Sequence, residues 1–193
     1  MRLFVAVDVP ETLKTSIEEL VRSLAEETRR DRAKIKWAGP SQFHFTLKFL
    51  GECEEAVVPK LAEALDLAAA QREPFPITPN GIGAFPGRGT PHIIWLGVSE
   101  GQEPMAALSA DIEAALEDLG FAKEERPFHA HLTLGRVKSA SNGDQLRSHL
   151  EEYPVPPLNT ITVETVTLYQ SILSPEGPTY QSLHTSYLSE VNK

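Results

Sequence analysis

Cysteine is almost absent from this chain of 193 residues, which contains only Cys53. A single cysteine cannot form an intramolecular disulfide, and it cannot build a zinc site from several thiolates. The sequence therefore excludes disulfide-stapled scaffolds and cysteine-based zinc modules. A chain of this length can bury about 70% of the surface that its unfolded form exposes, so an apolar core can hold it together. A reducing cytoplasm is the expected compartment.

Long hydrophobic runs are also missing from the sequence. No apolar stretch approaches the roughly 20 residues that a helix needs to span a bilayer. Residues 1–10 alternate apolar and polar side chains and include Asp8, which is typical of a β-strand and not of a signal peptide. The sequence therefore predicts a protein that has no membrane association.

Basic residues are scarce, since 18 Lys and Arg stand against 27 Asp and Glu and give a formal net charge of −9. This balance argues against a protein that coats nucleic acid by bulk electrostatic attraction. A local anion site is still compatible with it, because residues 29–48 hold six of the 18 basic residues and a single acid, Asp31. The simpler interpretation of this segment is a solvated helix end followed by a strand with outward-facing lysines.

The apolar pattern predicts an alternation of single helices with pairs of strands. Helices are predicted over residues 10–30, 54–71, 103–119 and 143–153. Strands are predicted over residues 2–8, 34–37, 42–50, 75–85, 92–98, 128–137, 161–171 and 180–189. Proline and glycine predict loops at residues 86–91 and around residues 175–178.

The order of these elements indicates the fold class. A doubly wound parallel sheet would alternate strands and helices strictly, whereas here neighbouring strands follow each other directly. The sequence therefore predicts an α+β protein with mostly antiparallel sheets. No low-complexity linker divides the chain, so residues 1–193 are predicted to form a single domain, in which any two lobes must share an interface.

One tetrapeptide pattern occurs twice in the chain. Residues 44–47 are His-Phe-Thr-Leu and residues 131–134 are His-Leu-Thr-Leu, so both match His-x-Thr-Leu. The composition gives about 0.05 such matches by chance, so a double occurrence points to function. The copies begin 87 residues apart, close to half the chain length, which suggests a duplicated unit.

Strand geometry gives the repeated motif a chemical meaning. Residues i and i+2 of a strand point the same way, so His44 and Thr46 share one face, as do His131 and Thr133. The residues between them point to the opposite side and are predicted to be core. If the two strands face each other across a cleft, one imidazole can act as a base and the other, protonated, as an acid, while the hydroxyls donate to an anionic oxygen. This arrangement suits in-line displacement at phosphorus and requires neither a metal nor a covalent nucleophile.

With these motifs, the sequence resembles the 2H phosphoesterase superfamily and, within it, the RNA 2′,3′-cyclic phosphodiesterases, also called 2′-5′ RNA ligases. The segments that carry the resemblance cover nearly the whole chain, namely residues 4–7, 37, 44–51, 83–86, 95–98, 128–136 and 168–171. The family often has proline just before the histidine of the second motif, where this chain has Ala130. We expect this difference to affect local rigidity and not chemistry.

The resemblance implies two pseudo-symmetric lobes with antiparallel sheets, helices on the outer faces and a catalytic cleft between the lobes. It implies hydrolysis of 2′,3′-cyclic phosphate ends of RNA or oligonucleotides to 2′-phosphates, with O3′ as the leaving group. It assigns His44 as general acid and His131 as general base, and it places Thr46, Thr133 and Arg136 at the phosphate. The motifs alone are nearly symmetric, so they leave the choice between acid and base open. We expect no cofactor, a monomer, and only minor ligation in the reverse direction.

We expect anion capture to depend on local positive charge despite the net negative charge. Arg136 lies five residues after His131, and Lys48 lies four residues after His44. Losing a single donor of this kind typically costs about 2–4 kcal/mol of transition-state stabilisation.

Other interpretations are open at this point. His129 and His131 can in principle ligate a metal, but no cysteine and no convincing carboxylate accompanies them, so no metal site is predicted. Arg88 lies in a Gly/Pro loop where it can contact a nucleotide, and Trp37 can stack on a base or pack in the core. Small cyclic phosphates and 2′-5′ linkages are alternative substrates, because pocket loops set the substrate. A non-catalytic RNA-binding module is disfavoured, since a binder needs no pair of titratable imidazoles.

Overall fold

The computed structural model describes residues 1–174 and 177–189. Within these ranges the chain forms nine strands and four α-helices. The strands are β1 (Arg2–Asp8), β2 (Lys34–Trp37), β3 (His44–Glu52), β4 (Phe75–Phe85), β5 (Ile93–Glu100), β6 (Leu132–Ser139), β7 (Ile161–Val163), β8 (Thr165–Ser174) and β9 (Gly177–Tyr187). The helices are α1 (Glu11–Glu27), α2 (Val58–Ala69), α3 (Gln102–Glu117) and α4 (Gly143–Glu151).

The strands join one antiparallel sheet in the order β7-β4-β5-β6-β3-β1-β8-β9, and β2 pairs with β6 beside this path. The prediction of an α+β protein with antiparallel strands is confirmed. β7 is at one end of the order and β8 is near the other, yet only Glu164 separates them along the chain. The sheet therefore curls into a half-barrel whose two ends approach each other.

The sheet has two halves that meet where β3 pairs with β6. The first half contains β1, β3, β8 and β9, and helices α2 and α3 pack on it and on each other. The second half contains β2 and β4–β7, and α4 packs on β4. This arrangement confirms two pseudo-symmetric lobes with helices on the outer faces. None of the helices in the described ranges has the length and apolar character required to cross a membrane.

The core lies where the sequence pattern places it. The apolar residues of both repeated motifs are buried, with exposed fractions of 0% for Phe45 and Leu132 and at most 4% for Leu47 and Leu134. Helix α1 buries the five residues that its helical spacing predicts, namely Leu13, Ile17, Leu20, Val21 and Leu24. Each such side chain contributes roughly 1.5–3 kcal/mol when it leaves water.

Residues 161–171 form parts of two strands, where the sequence predicts one. Val163 of β7 pairs with Phe75 of β4, whereas β8 pairs with β1 in the other half of the sheet. The exposed Glu164 lies between them. Alternation indicates which residues face the core, but it contains no information about a change of partner strand, so the prediction of a single strand was wrong here.

β6 begins at Leu132, later than the predicted start at residue 128. The preceding backbone bonds to a side chain and not to a neighbouring strand. Gln102 Nε2 donates to the Phe128 carbonyl at 3.2 Å, and the Ala130 amide donates to Gln102 Oε1 at 2.9 Å. Because this partner is 28 residues away from Ala130 and is not in a strand, periodicity could not reveal it.

The remaining boundaries agree with the predictions to within a few residues. Helix α1 ends at Glu27 and continues as the 3₁₀ segment Thr28–Asp31, after which Arg32 adopts a left-handed conformation with φ of 51°. Of the link predicted around residues 175–178, Pro175 and Glu176 lie outside the described residues, and the other two belong to β9.

Lys48 does not reach the cleft, contrary to the expectation from its distance to His44. Its exposed fraction is 6%, and its ammonium group pairs with Glu113 of α3 and donates to the Ala122 carbonyl at 2.8 Å. The Glu113 carboxylate also accepts from the Glu124 amide at 3.3 Å. Lys48 therefore ties β3 to α3 and to the segment that leads towards the second motif.

We predict that Lys48→Met lowers the free energy of unfolding by about 3 kcal/mol, because it leaves the Glu113 carboxylate in an apolar setting without its partner. The double variant with Glu113→Gln should lose less than the sum of the two single losses, because the unpaired charge is then removed. Denaturant unfolding of the four proteins measures this coupling.

The exposed Lys123–Glu117 pair provides the control, since its side chains are 53% and 56% exposed. Lys123→Met should change stability little, because solvent screens exposed pairs. An equally small effect of Lys48→Met would show that the buried pair does not hold β3 in place.

Candidate active site

A cleft of about 420 Å³ lies along the junction of the two halves of the sheet. Four of the predicted site residues line it, namely His44, Thr46, Thr133 and Arg136. His131 stands next to them at the start of β6, close enough for its charge to act on His44. The structure thus brings four of the five predicted residues into a cleft that both halves build, and places His131 next to them.

The two motifs lie side by side on neighbouring strands, and not on strands that face each other across a gap. β3 and β6 pair antiparallel with Phe45 opposite Leu132. This register places His44 beside Thr133 and Thr46 beside His131 on one face of the sheet, and residues opposite each other in this way are about 5 Å apart at Cβ. Each imidazole therefore has the hydroxyl of the other motif as its neighbour.

A β-bulge follows each motif at the same position. Leu47 is an extra residue of β3 against β1, and Leu134 is an extra residue of β6 against β5. As a result, residues 44–52 and 131–139 have the same order of buried, intermediate and exposed positions. The duplication therefore extends over nine residues of structure, although the sequence repeats clearly only within the tetrapeptide.

The bulge in β6 explains how Arg136 reaches the cleft. Arg136 is an odd number of residues after His131, so strict alternation would turn it to the core face. The extra residue restores it to the functional face, where it is exposed and lines the cleft. In the other half, Phe49 takes the equivalent position, with 73% of its surface exposed.

Sequence reasoning missed several residues that line the cleft. Beside Phe49, these are Arg2, Lys36, Lys138 and Tyr180. The clustering of basic residues in residues 29–48 was a signal for Lys36, but the simpler interpretation was a solvated strand. Tyr180 comes from β9, far along the chain, so no local pattern could place it here.

The His44 imidazole packs against two aromatic rings that also contact each other. Phe4, which is 3% exposed, has its ring centroid 4.9 Å away, and Tyr180 meets the imidazole edge-on at 5.1 Å. Burial lowers the pKa of His44 from 6.5 to about 4. The Asp8 carboxylate opposes this shift of the pKa, and so does a hydrogen bond with the Gln42 backbone.

The His131 imidazole is also held by an aromatic ring and by a backbone carbonyl. Its Nδ1 lies 2.7 Å from the His129 carbonyl oxygen, and its ring contacts the edge of Phe85 at 5.1 Å between centroids. Because a carbonyl only accepts hydrogen bonds, Nδ1 must carry the proton and Nε2 of the neutral ring is left as an acceptor. Burial lowers the pKa of His131, while the hydrogen bond to the His129 backbone opposes this shift.

A carboxylate distinguishes the surroundings of the two histidines. Asp8 lies directly opposite His44 in the pairing of β1 with β3. It accepts a hydrogen bond from the Thr167 hydroxyl at 2.7 Å and another from the Tyr169 hydroxyl. The charges that act on His131 include no carboxylate, and the neighbouring His129 lowers its pKa. Burial outweighs the attraction of Asp8, so the pKa of His44 is still lowered to about 4.

Arg88 does not line the cleft. It is exposed in the loop of residues 86–91, which Arg147 holds by donating to the carbonyls of Pro86 at 2.6 Å and Gly89 at 2.8 Å. Trp37 both lines the cleft and packs against Gly135, where a side chain would clash with its ring.

The other histidines have separate surroundings. His129 packs against Trp95 with 4.8 Å between ring centroids. His149 bonds to Asp31 at 2.7 Å, and His184 bonds to Asp66 at 2.8 Å. Among the described residues, no group of three or more histidine, cysteine and acidic side chains is arranged to hold a metal ion.

Comparisons with known proteins agree with this geometry. A sequence model of the 2′-5′ RNA ligase superfamily matches residues 7–172. A protein of Archaeoglobus fulgidus named RNA 2′,3′-cyclic phosphodiesterase is 35% identical over 183 residues, which cover 95% of this chain and 98% of the relative. A protein of the same name from Methanocaldococcus jannaschii is 34% identical over 181 residues, with 94% and 97% covered. A crystal structure of a Thermus thermophilus protein is 30% identical, with a TM-score of 0.77 and 97% and 98% covered.

We predict that acid destabilises the protein partly through His44. Its folded pKa is below its ordinary value, so the contribution is complete above pH 6.5 and is lost as the pH falls towards about 4, where the folded protein also binds the proton. The loss is on the order of 3 kcal/mol. His44→Gln should show a flatter dependence of unfolding free energy on pH in this window, as measured by urea unfolding.

His92 is exposed and provides the matched control. His92→Gln should keep the wild-type pH dependence. If His44→Gln and His92→Gln gave the same curve, burial of the His44 imidazole would not be responsible.

We also predict that Gln102 fixes the His131 tautomer by holding the backbone on both sides of His129. Gln102→Ala should lower stability by about 1–3 kcal/mol, because it leaves the Phe128 carbonyl and the Ala130 amide without partners. In ¹⁵N NMR spectra, the His131 ring should change from a single Nδ1-protonated tautomer to a mixture. Gln102→Glu should be intermediate, since a carboxylate accepts from Ala130 but cannot donate to Phe128.

Proline at position 130 gives a second test. Proline has no amide hydrogen, so Ala130→Pro in the Gln102→Ala background removes the unsatisfied donor and restricts the chain. The double variant should regain part of the lost stability. An unchanged His131 tautomer in Gln102→Ala would rule out the positioning role.

Proposed function

The chain belongs to the 2′-5′ RNA ligase superfamily, and on this premise we propose that it hydrolyses the 2′,3′-cyclic phosphate ends of RNA to 2′-phosphates. The observation that carries the proposal is the placement of two His-x-Thr motifs on paired strands, with His44, Thr46 and Thr133 lining one cleft and His131 next to them. Relatives with 34–35% identity carry the name RNA 2′,3′-cyclic phosphodiesterase.

The reaction is an in-line displacement at phosphorus. Nε2 of neutral His131 takes a proton from water as the water oxygen bonds to phosphorus. The bond from phosphorus to O3′ breaks, and protonated His44 gives its proton to O3′. The 2′-phosphate remains, and the two histidines have exchanged protonation states. The Thr46 and Thr133 hydroxyls and the Arg136 guanidinium donate to the non-bridging oxygens, where negative charge develops.

The Asp8 carboxylate is the feature of the surroundings that favours His44 as the acid. Burial keeps both imidazoles neutral in the free protein near pH 7. A bound phosphate adds negative charge next to both rings and favours proton uptake. Asp8 adds its own attraction at His44, whereas His129 works against protonation of His131. For His44 to act as the acid, substrate binding must raise its pKa from about 4, and Asp8 contributes to the attraction that does so.

The proposal includes two further features of the reaction. Ligation is the reverse of a related displacement, and in water it is expected to be minor because hydrolysis is favoured by mass action. The protein is also proposed to act as a monomer.

We predict that His44→Ala and His131→Ala each lower kcat by roughly 10²–10⁴-fold, as expected for loss of a general acid or base. The double variant should lose little more than the worse single variant, because the two groups act in one step. The assay uses a short RNA with a 2′,3′-cyclic phosphate end, and phosphorus NMR identifies the product. A 3′-phosphate product, or losses that add, would contradict the proposed mechanism.

A substrate whose 3′ leaving group needs no proton distinguishes the two histidines. It should restore turnover to His44→Ala and not to His131→Ala, because only the acid becomes dispensable. Rescue of His131→Ala instead would exchange the two roles. Cooperative thermal unfolding of both variants is the control for folding.

A further inference from the structure

The lining of the cleft has a charge opposite to that of the whole chain. Arg2, Lys36, Arg136 and Lys138 line it, and no acidic side chain does so among the residues that the structure describes. Within the described residues, none of these four basic side chains takes part in an ion pair. A chain with net charge −9 thus gathers four basic side chains in one cleft that no acidic side chain of the described residues lines.

Most of this charge follows the paired strands β2 and β6 away from the histidines. The first residue of β6, Leu132, pairs with β3, and the later residues of β6 pair with β2. In the second pairing, Lys36 lies directly opposite Arg136. Lys34 lies two residues before Lys36 on β2, and Lys138 lies two residues after Arg136 on β6. The side chains on this path are all exposed, namely Lys34, Lys36, Arg136 and Lys138. From Thr133 to Lys138 the strand covers roughly 16 Å, which is longer than the phosphate group alone requires.

We propose that the RNA strand on the 5′ side of the cyclic phosphate leaves the active site along Lys34, Lys36 and Lys138, which we call the lysine ribbon. The inference rests on the proposed function and adds its substrate class, because it makes oligonucleotide ends better substrates than mononucleotide 2′,3′-cyclic phosphates.

The position of the ribbon fits an RNA end. A cyclic phosphate occupies the 3′-terminal ribose, so a single strand leaves the site and a single basic path suffices. A mononucleotide has only the reacting phosphate, which Thr46, Thr133 and Arg136 serve. Each further backbone phosphate that meets a lysine releases a counterion and strengthens binding.

Aromatic side chains that line the same cleft favour RNA over an acidic peptide. Trp37 and Tyr180 line the cleft, and Phe49 is 73% exposed there. A basic groove interleaved with aromatic faces is the arrangement that binds single-stranded nucleic acid, because bases stack on the rings while the backbone follows the charges. An acidic peptide would use the lysines but would gain little from the rings.

The test compares two charge-matched variants on two substrates. The ribbon variant carries Lys34→Gln, Lys36→Gln and Lys138→Gln, and the control carries the same change in charge elsewhere, as Arg22→Gln, Lys60→Gln and Lys123→Gln. The substrates are a mononucleotide 2′,3′-cyclic phosphate and an RNA of about ten nucleotides with the same end, a length within the range of single-strand sites.

At low salt, kcat/KM of the ribbon variant should fall about tenfold or more for the RNA and much less for the mononucleotide. The slope of log kcat/KM against log salt for the RNA should become shallower by about 2, since three contacts at roughly 0.7 each are lost. The control variant should follow the wild type on both substrates.

Several outcomes would overturn the inference: equal losses on both substrates, equal losses in the control variant, or an unchanged RNA rate in the ribbon variant. If the wild type hydrolyses neither substrate, the proposed function fails. Fluorescence anisotropy then measures whether the lysine ribbon binds an RNA that ends in a 2′-phosphate, which tests the inference independently of catalysis. Weaker binding by the ribbon variant alone supports it, and unchanged binding refutes it. Equally tight binding of a poly-glutamate peptide would identify a protein-docking surface instead.

Discussion

The pairing of Phe45 with Leu132 is the contact on which the active site depends. It joins the two halves of the sheet through their central strands, and both side chains are fully buried. Because side chains alternate along a strand, burying these two forces His44, Thr46, His131 and Thr133 to the opposite face. A slip of one residue in either strand would bury an imidazole and expose a core side chain. The apolar core therefore specifies the register that assembles the catalytic groups.

The same burial determines the chemistry of the histidines. Removing the imidazoles from water lowers both pKa values, so the free protein holds them neutral. A neutral imidazole can act as a base directly, whereas an imidazole that acts as an acid must first gain a proton. In the proposed mechanism the anionic substrate must supply most of the attraction for this proton, because Asp8 alone leaves the pKa of His44 at about 4. The packing around His44 therefore makes its protonation depend on substrate binding in the proposed mechanism. The same packing lowers the free energy of unfolding in acid, where the unfolded chain binds the proton more readily.

The net negative charge of the chain does not extend into the cleft, where the described lining includes basic side chains and no acidic one. Several basic groups elsewhere in the described residues are paired, as in Lys48 with Glu113 and Arg72 with Asp111. In the cleft, Lys36 and Lys138 have no carboxylate of residues 1–174 or 177–189 within ion-pair distance. An anion that reaches the cleft therefore meets unscreened positive charge, while the net charge keeps other polyanions away from the rest of the surface.

The sequence alone determined the element types, the antiparallel α+β class and the pairing of imidazole with hydroxyl, because alternation and helical spacing are local properties of the chain. It could not determine that β3 and β6 are neighbours, that a bulge turns Arg136 to the cleft, or that Lys48 points to Glu113. It also could not place Gln102 beside residues 128–130 or Tyr180 beside His44. These features depend on which distant segments meet, and burial, pKa and partner choice exist only after the tertiary structure has brought them together.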